Sequence, residues 1–308
     1  MSVAPDARFN AKTLARPPCA GDKQGMNTDP APQAEHIVDV LIAERAPRLT
    51  SSWAWPMVRP MLYALLGYPK AVAMADAMQG RSGAEALQYV SDLLRLKVEV
   101  TGLGNLPAKG RCVVVCNHPT GIADGVAVYD AITRVRGDAI FFANADAIRV
   151  APRLAETIIP VEWVYEKRTR EKTRHTLTAA KQAFAEERCL VMFPAGRLAR
   201  VENGLLTDPP WESSAVSLAR KHGAPIIPVH LTGPTSKLFH LFDRFSQELR
   251  DVTLFHELLN KEGQTFGLTI GKPVQPSQLA VDVDAATDQL KTYIERQLAA
   301  HPDAPFPE

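Results

Sequence analysis

From residue 97 onward the chain alternates between short apolar runs and longer amphipathic stretches, and no other feature of the sequence constrains the fold more. Short runs rich in β-branched residues indicate strands, whereas apolar positions that repeat every three or four residues indicate helices. Strands and helices that follow each other in turn are typical of α/β domains with a largely parallel sheet. The predicted strands cover residues 97–102, 111–116, 139–143, 189–193, 225–231 and 264–270, and the predicted helices cover residues 122–136, 169–187, 211–222 and 285–300.

In sheets of this kind, functional side chains collect beyond the carboxyl ends of the strands. Three of the predicted strands run into polar or proline-glycine punctuation, at residues 117–119, 193–197 and 228–230. We therefore expect one site built from these three strand ends.

The region before the first predicted strand is helical in pattern, and its most apolar part is residues 51–79. Prolines and charges interrupt that part, so no run approaches the roughly 20 apolar residues of a membrane-spanning helix. Two interpretations stay open. The helices lie in a membrane interface, anchored by Trp53, Trp55 and Tyr63, or they form a hairpin that caps the main domain. We expect the first.

These patterns divide the chain into three parts. Residues 1–34 are rich in Pro, Ala, Asp and Gly without an apolar pattern or the apolar core of a signal peptide, and predict a disordered tail. Residues 35–96 form the helical, membrane-associating segment. Residues 97–308 form the predicted α/β domain.

Charge is balanced, with 35 Lys and Arg against 34 Asp and Glu and a net charge of +1. This balance excludes the overall basic character of nucleic-acid-binding proteins, so any anion site is local. The cysteines show no paired spacing, and three of the four lie in apolar runs, which predicts reduced thiols in a core and a cytosolic environment. No second ligand cluster accompanies Cys112, Cys116 and His118, so we expect no metal.

The first strand end carries a histidine and, six positions later, an aspartate: Asn117-His118-Pro-Thr-Gly121-Ile-Ala-Asp124. A histidine removes a proton from a hydroxyl best when its ring is neutral and held in one orientation, and a carboxylate bonded to one ring nitrogen provides both. Pro119 ends the strand, Gly121 permits a tight bend, and Asp124 at the start of the next helix is able to reach back. The alternative is that Asp124 only caps that helix and His118 is a turn residue. Nothing resembles the G-x-S-x-G motif of serine hydrolases, so the attacked hydroxyl would belong to a substrate.

Three blocks in order resemble the glycerolipid acyltransferase superfamily, the lysophosphatidate acyltransferases and their relatives. The residues from Asn117 to Gly125 resemble its first motif, Phe193-Pro-Ala-Gly-Arg197 resembles its F-P-E-G-T-R block, and Ile227-Pro-Val-His230 resembles its V-P-V block. The resemblance covers about residues 93–274 and is closest to a bacterial branch of hemolysin-like, or lyso-ornithine-lipid, acyltransferases.

The sequence departs from the family pattern in two places. Five residues separate His118 from Asp124, where the family usually has four, and Ala195 stands where the family has glutamate. Arg197 falls at the threonine position, so the anion-binding charge of this block is expected there, beside Pro194 and Gly196. The second family block is only loosely matched, and Arg149 and Arg153 are the nearest candidates for its basic contact.

The resemblance implies a fatty acyl transfer from an acyl thioester, carried by acyl carrier protein or coenzyme A, to the hydroxyl of a lysolipid. His118 would act as the base, and the oxyanion would be bound by N–H groups near Gly196 or near Thr120 and Gly121. The acceptor would be a lysophospholipid or a lyso-ornithine-type lipid, and no bound cofactor is implied. We expect a peripheral or monotopic protein on the cytoplasmic face of the inner membrane, with no nucleic-acid partner.

Two other functions use the same residues. A thioesterase or lipid hydrolase would replace the lysolipid with water, and a non-catalytic lipid-binding protein would keep only the fold. A basic run at residues 166–175, with five basic against two acidic residues, is interpreted as a solvated helix face, although contact with head groups or the phosphates of the donor is the alternative.

Overall fold

The structure is a computed structural model that describes residues 35–162, 168–202, 205–235, 242 and 245–307, which belong to one compact unit. The predicted tail, residues 1–34, lies outside the described residues.

Between residue 35 and the first strand the structure describes five helices, and their ends follow from the local sequence. They are α1 (Ile37–Arg45), α2 (Pro47–Thr50), α3 (Trp55–Leu66), α4 (Tyr68–Met78) and α5 (Gly83–Leu94). Gly67, with φ of 68°, ends α3 and begins α4, because the left-handed conformation costs a glycine little. Ser82 and Glu85 each accept the other's backbone N–H and so form a capping box at the start of α5.

The N-terminal helices pack onto the rest of the chain. One apolar core contains Leu41 of α1, Leu62 of α3 and Ala75 of α4 together with Val150 and Val252 from beyond the first strand. The inner face of the segment therefore behaves as the cap that the second interpretation described. In the described part of the chain, no helix combines the length and the apolar character needed to cross a membrane. Membrane association of residues 35–96 and the division at residue 97 stay predictions.

Seven strands form one sheet in the order β1–β9–β8–β2–β5–β3–β4. Every neighbouring pair is parallel except β8 and β9, which confirms the largely parallel α/β fold. The strands are β1 (Lys97–Thr101), β2 (Cys112–Cys116), β3 (Ala139–Asn144), β4 (Ile158–Val161), β5 (Cys189–Met192), β8 (Ile226–Thr232) and β9 (Thr265–Ile270), while β6 (Arg200–Glu202) and β7 (Leu205–Thr207) form a separate antiparallel pair.

Helices cover both faces of the sheet. They are α6 (Ile122–Ile132), α7 (Asp146–Val150), α8 (Arg170–Ala185), α9 (Ser214–His222), α10 (Gln247–Asp251), α11 (Leu254–Leu259) and α12 (Val283–Thr292), which continues as a π-helical turn over Tyr293–Leu298. Val114 of β2 packs in the core that includes α5 and α6, whereas Val113 and Val115 pack in the core of α8, α9 and α12. Because both faces of β2 are buried, the loop that follows it starts from a fixed point.

The structure contains elements that the sequence patterns did not predict. Strand β4 escaped prediction because Pro160 lies in it, and a proline is tolerated there since β4 is the edge strand. The β6–β7 pair consists of three-residue strands, too short for a periodic signal. The helix predicted from residue 211 begins at Ser214, since Trp211 still belongs to the preceding loop.

Candidate active site

Strands β2, β5 and β8 are adjacent and parallel, so their carboxyl ends meet at one edge of the sheet. The loop after β2 is fixed to β8 through the amide of Asn117. Its Nδ2 donates to the Leu231 carbonyl oxygen at 2.9 Å, and its Oδ1 accepts the Leu231 N–H at 2.7 Å. This paired contact places the next residue, His118, at the centre of the edge.

The ring of His118 is oriented by Asp124. Its Nδ1 lies 2.9 Å from Asp124 Oδ2, the carboxylate is fully buried, and the ring remains partly exposed. When the Nδ1–H group donates a hydrogen bond to the carboxylate, the neutral ring has an unprotonated Nε2. This is the form that accepts a proton from a hydroxyl. The structure thus brings the two predicted catalytic residues together.

Asp124 also organises the turn between β2 and α6. Its Oδ2 accepts the N–H groups of Thr120 at 2.9 Å and Gly121 at 3.1 Å, and its Oδ1 accepts the Thr120 hydroxyl. The carboxylate therefore contacts the histidine ring and closes the helix start at the same time, and the catalytic role of the pair stays a prediction. Gly121 has φ of 106° and ψ of −146°, a conformation that only glycine adopts readily, and it accommodates the wider spacing.

The loop after β5 packs against His118 from a second side. The Phe193 ring lies 4.7 Å from the His118 ring, centroid to centroid, and the Ala199 N–H donates to the His118 carbonyl oxygen at 3.0 Å. Within this loop the Gly196 N–H donates to the Phe193 carbonyl oxygen at 3.0 Å, which makes a tight turn with Gly196 at φ of 59°. The turn carries Arg197 outward into solvent at its tip.

Asp208 belongs to the site, and sequence reasoning missed it. Both carboxylate oxygens accept the His118 N–H, each at 3.1 Å, and Oδ2 also accepts the Trp211 indole N–H at 2.9 Å. The Asp208 N–H in turn donates to Glu295 at 2.8 Å. Burial raises the pKa of Asp208 to about 6, although the nearby His118 favours the charged form. The only signal in the sequence was an acidic residue followed by two prolines and a tryptophan.

The other predicted binding residues differ in their surroundings. Arg197 is exposed and has no ion-pair partner among the described residues, so its guanidinium is available for an anion. Pro194 accepts the Glu212 N–H at 3.0 Å and fixes the base of the same loop. Ala195 is buried among apolar side chains, where a glutamate would lose its solvation.

Arg149 and Arg153 are engaged elsewhere. Arg149 forms a two-pronged ion pair with Glu44 of α1 at 2.6 and 2.8 Å, and this contact raises its pKa further. Arg153 pairs with Glu156 at 2.8 Å. In the described part of the chain, neither hydrogen-bonds to the loops after β2 or β5. Their role in substrate binding stays a prediction.

The predicted oxyanion donors already have acceptors within the chain. The N–H groups of Thr120 and Gly121 point to Asp124, and that of Gly196 points to Phe193. An oxyanion at this edge would therefore need another donor, and the exposed Arg197 is the nearest cation of the loop after β5.

The predicted membrane residues fall on two sides of α3. Trp53 is exposed, whereas Trp55 packs edge-on against Tyr63, with ring centroids 6.0 Å apart. Tyr63 donates to Asp39 at 2.7 Å, and burial together with this carboxylate raises its pKa. The outward apolar row, which we call the α3 row, consists of Trp53, Met57, Met61 and Leu65, exposed by 87, 76, 70 and 53 %.

Comparisons with known proteins identify the family of the chain. A family model described as Acyltransferase matches residues 97–232, which contain all three strand ends. A lyso-glycine lipid O-acyltransferase of Phocaeicola vulgatus is 30 % identical over 203 residues, covering 64 % of this chain and 71 % of that protein. A protein of the same description from Bacteroides thetaiotaomicron is 27 % identical over 198 residues, covering 62 % of this chain and 71 % of that protein.

Among solved structures, the 1-acyl-sn-glycerophosphate (LPA) acyltransferase PlsC of Thermotoga maritima aligns with a TM-score of 0.46 and 15 % identity, covering 87 % of this chain and 100 % of that chain. The sequence comparisons decide the assignment: the chain belongs to the glycerolipid acyltransferase superfamily and is an acyltransferase.

Proposed function

We propose that this enzyme transfers a fatty acyl group from an acyl thioester to the hydroxyl of a lysolipid, with His118 as the general base. The observation that carries the proposal is the Nδ1 contact between His118 and the buried Asp124, which leaves Nε2 to act on a hydroxyl. General-base help of this kind contributes about 10²–10⁴ in rate.

The proposed reaction begins when Nε2 of His118 takes the proton of the lysolipid hydroxyl as that oxygen attacks the thioester carbonyl carbon. The imidazolium formed is stabilised by the Asp124 carboxylate. As the tetrahedral intermediate collapses, the carbon–sulfur bond breaks and the departing thiolate takes the proton from the imidazolium. The products are an ester and a free thiol.

Arg197 favours an acceptor lipid with an anionic head group. A guanidinium binds carboxylate and phosphate oxygens through paired hydrogen bonds. The two relatives are named for a lyso-glycine lipid. We infer that this enzyme acts on a lysolipid with an anionic head group, of the amino-acid or phosphate type.

We also propose that the enzyme binds the cytoplasmic face of the inner membrane peripherally. The support is the α3 row: Met57, Met61 and Leu65 follow one another at intervals of four residues and so lie on one face of the helix, and Trp53 lies in the turn just before it. An exposed apolar row beside ionic and aromatic groups is typical of interfacial helices.

The test is thiol release from a long-chain acyl thioester by the purified enzyme in detergent, with and without a panel of lyso-aminolipids and lysophospholipids. We expect acceptor-dependent release that falls by about 10²–10⁴ in His118→Ala. His301→Ala, which removes an exposed histidine near the C-terminus, is the matched control. Release that needs no acceptor but requires His118 would indicate a hydrolase, and undiminished transfer by His118→Ala would refute the base assignment.

A further inference from the structure

A basic groove of about 630 Å³ lies along helix α8 and reaches the end of α9. Among the described residues nine line the groove, of which five are cationic and none is acidic. The cations are Arg168, Arg170, Arg174, Lys181 and Lys221.

Four of these cations form no ion pair with any residue that the structure describes. Arg168 contacts Glu212, but Arg170, Arg174, Lys181 and Lys221 have no ion-pair partner among the described residues. The basic run at residues 166–175 is predicted to be a solvated helix face, and its described part, residues 168–175, is exposed. The positive charge also extends beyond that run, to Lys181 and to Lys221 on a second helix.

These cations affect the pKa of a neighbouring histidine. Burial lowers the pKa of His222, and the nearby Lys221, Arg111 and Lys181 lower it further. A ring whose charged form is disfavoured by three cations marks a region of positive potential at the α9 end of the groove.

The groove has the layout of a protein-binding face. Arg170, Arg174, Leu177 and Lys181 follow the spacing of one face of α8, and the two outermost lie about 16 Å apart along the helix axis. Leu177, 49 % exposed, lies between the cations. An apolar contact flanked by charges is the usual arrangement at the centre and rim of a protein interface.

The end of the groove at the start of α8 lies next to the candidate active site. Helix α8 follows β4, which is parallel to β3 and β5, so α8 begins at the sheet edge that carries His118. Arg168 contacts Glu212 at 3.1 Å, and the Glu212 N–H donates to Pro194 in the loop after β5 at 3.0 Å. A partner in the groove would therefore lie beside that loop.

We infer that this groove docks an acidic carrier protein that presents the acyl thioester to the active site. The inference rests on the proposed function, since it names the form of the acyl donor. Carboxylates of the partner would pair with Arg170, Arg174 and Lys181, an apolar side chain would contact Leu177, and the thioester arm would extend past the loop after β5 toward His118.

Two other anionic occupants fit the structure less well. A nucleotide needs cations that converge on one or two phosphates, whereas these cations form an extended row. An anionic membrane held by the α3 row would approach from another side. Met74 and Met78 of α4 pack against one face of the sheet, and Ala180 and Phe184 of α8 pack against the opposite face.

The test compares three donors of one acyl chain: palmitoyl-loaded acyl carrier protein, palmitoyl-coenzyme A and palmitoyl-pantetheine. The variant is Arg174→Glu/Lys181→Glu. The control is Lys109→Glu/Lys272→Glu, which makes the same change in net charge with exposed lysines at the opposite edge of the sheet. We expect kcat/KM with the carrier donor to fall about tenfold or more in the variant only, with less salt dependence, because like charges now face each other. Transfer from palmitoyl-pantetheine should be unchanged.

Binding of the loaded carrier protein to His118→Ala, measured by titration without turnover, separates this inference from the proposed function. Binding that persists in His118→Ala and is lost when the two groove charges are also reversed supports the groove, even if no acceptor is found. Equal losses with all three donors, or an unchanged carrier reaction, would overturn it. A loss confined to the coenzyme A donor would assign the groove to a nucleotide, and a loss confined to anionic vesicle binding would assign it to the membrane.

Discussion

The loop around His118 and the outward face of α3 are organised in opposite ways. At His118, the backbone N–H, the backbone carbonyl and the ring each have a partner, in Asp208, Ala199 and Asp124. On the α3 row, four large apolar side chains project into solvent. The first region fixes the position of His118, and the second offers an apolar surface for contact with a membrane. We therefore expect mutations to affect catalysis and membrane binding separately.

The largest expected effect is a loss of catalysis when the contacts of His118 are changed. Asp124→Asn should lower kcat by about 10²–10⁴, because an amide that keeps accepting from Thr120 and Gly121 no longer supplies a negative charge to the imidazolium. Vesicle binding should not change. Steady-state kinetics with the best acceptor measure this, beside Asp288→Asn, an exposed aspartate on α12. Activity equal to that of the control would remove Asp124 from the mechanism.

The next effect breaks the second region alone. Met57→Ser/Met61→Ser should weaken binding to vesicles about 10–100-fold, because each buried methionine contributes on the order of 1 kcal/mol. Turnover of detergent-dispersed substrates and thermal stability should be retained, since both side chains are exposed. Vesicle sedimentation measures the change, and Val281→Ser removes an exposed apolar side chain from another place on the surface. Equal binding by both variants would place the membrane contact elsewhere.

A smaller effect is expected when the hydrogen bond that supports the backbone of His118 is weakened. Asp208→Asn should lower kcat about tenfold with little change in KM, because the amide accepts at only one end and the His118 N–H and the Trp211 indole compete for it. Trp211→Phe removes one donor and leaves the His118 contact, so its effect should be weaker. If KM rises and kcat does not, Asp208 acts on substrate binding rather than on the position of His118.

The smallest effect is on stability. Because the pKa of Asp208 is about 6 in the folded protein and near 4 in an unfolded chain, the folded state binds more protons between these values. The contribution of Asp208 to the free energy of unfolding is therefore fully present below about pH 4 and is lost as the pH rises toward about 6, on the order of 1–3 kcal/mol. The groups that face it are His118, Trp211 and Glu295, and Asp208→Asn changes none of these residues. Urea unfolding of both proteins across this range measures the effect. The free energy of unfolding of the native protein should fall relative to that of Asp208→Asn as the pH rises from about 4 to about 6. An equal pH dependence in the two proteins would contradict the assignment.

Local patterns predicted the elements that position the site. The apolar run of β2, the glycine at the turn and the start of α6 all depend on neighbours in sequence, and they placed His118 and Asp124 correctly relative to each other. The membrane residues were only partly separable by sequence, because Trp53 and Tyr63 look alike as aromatic anchors until the direction of the helix face is known.

Asp208 could not be predicted because its contact with His118 spans 90 positions and ends on a backbone N–H. A main-chain partner leaves no side-chain pattern in the sequence. Similarly, the ion pair of Arg149 with Glu44 joins residues 105 positions apart. The sequence does not reveal such a pair, because the carboxylate lies on a helix that is distant in the chain.

The two-way amide contact between Asn117 and Leu231 has a mechanical consequence. Since it ties the loop after β2 to a central strand at both polar atoms, His118 and β8 move as one body. Displacing the histidine would require the strand to shift with it or both bonds to break. The loop after β5 is held to His118 by one hydrogen bond, from the Ala199 N–H, and by the apolar contact of Phe193. We therefore expect a long acyl chain that needs space at this edge to displace the loop after β5 rather than the loop after β2, and Arg197 would move with it.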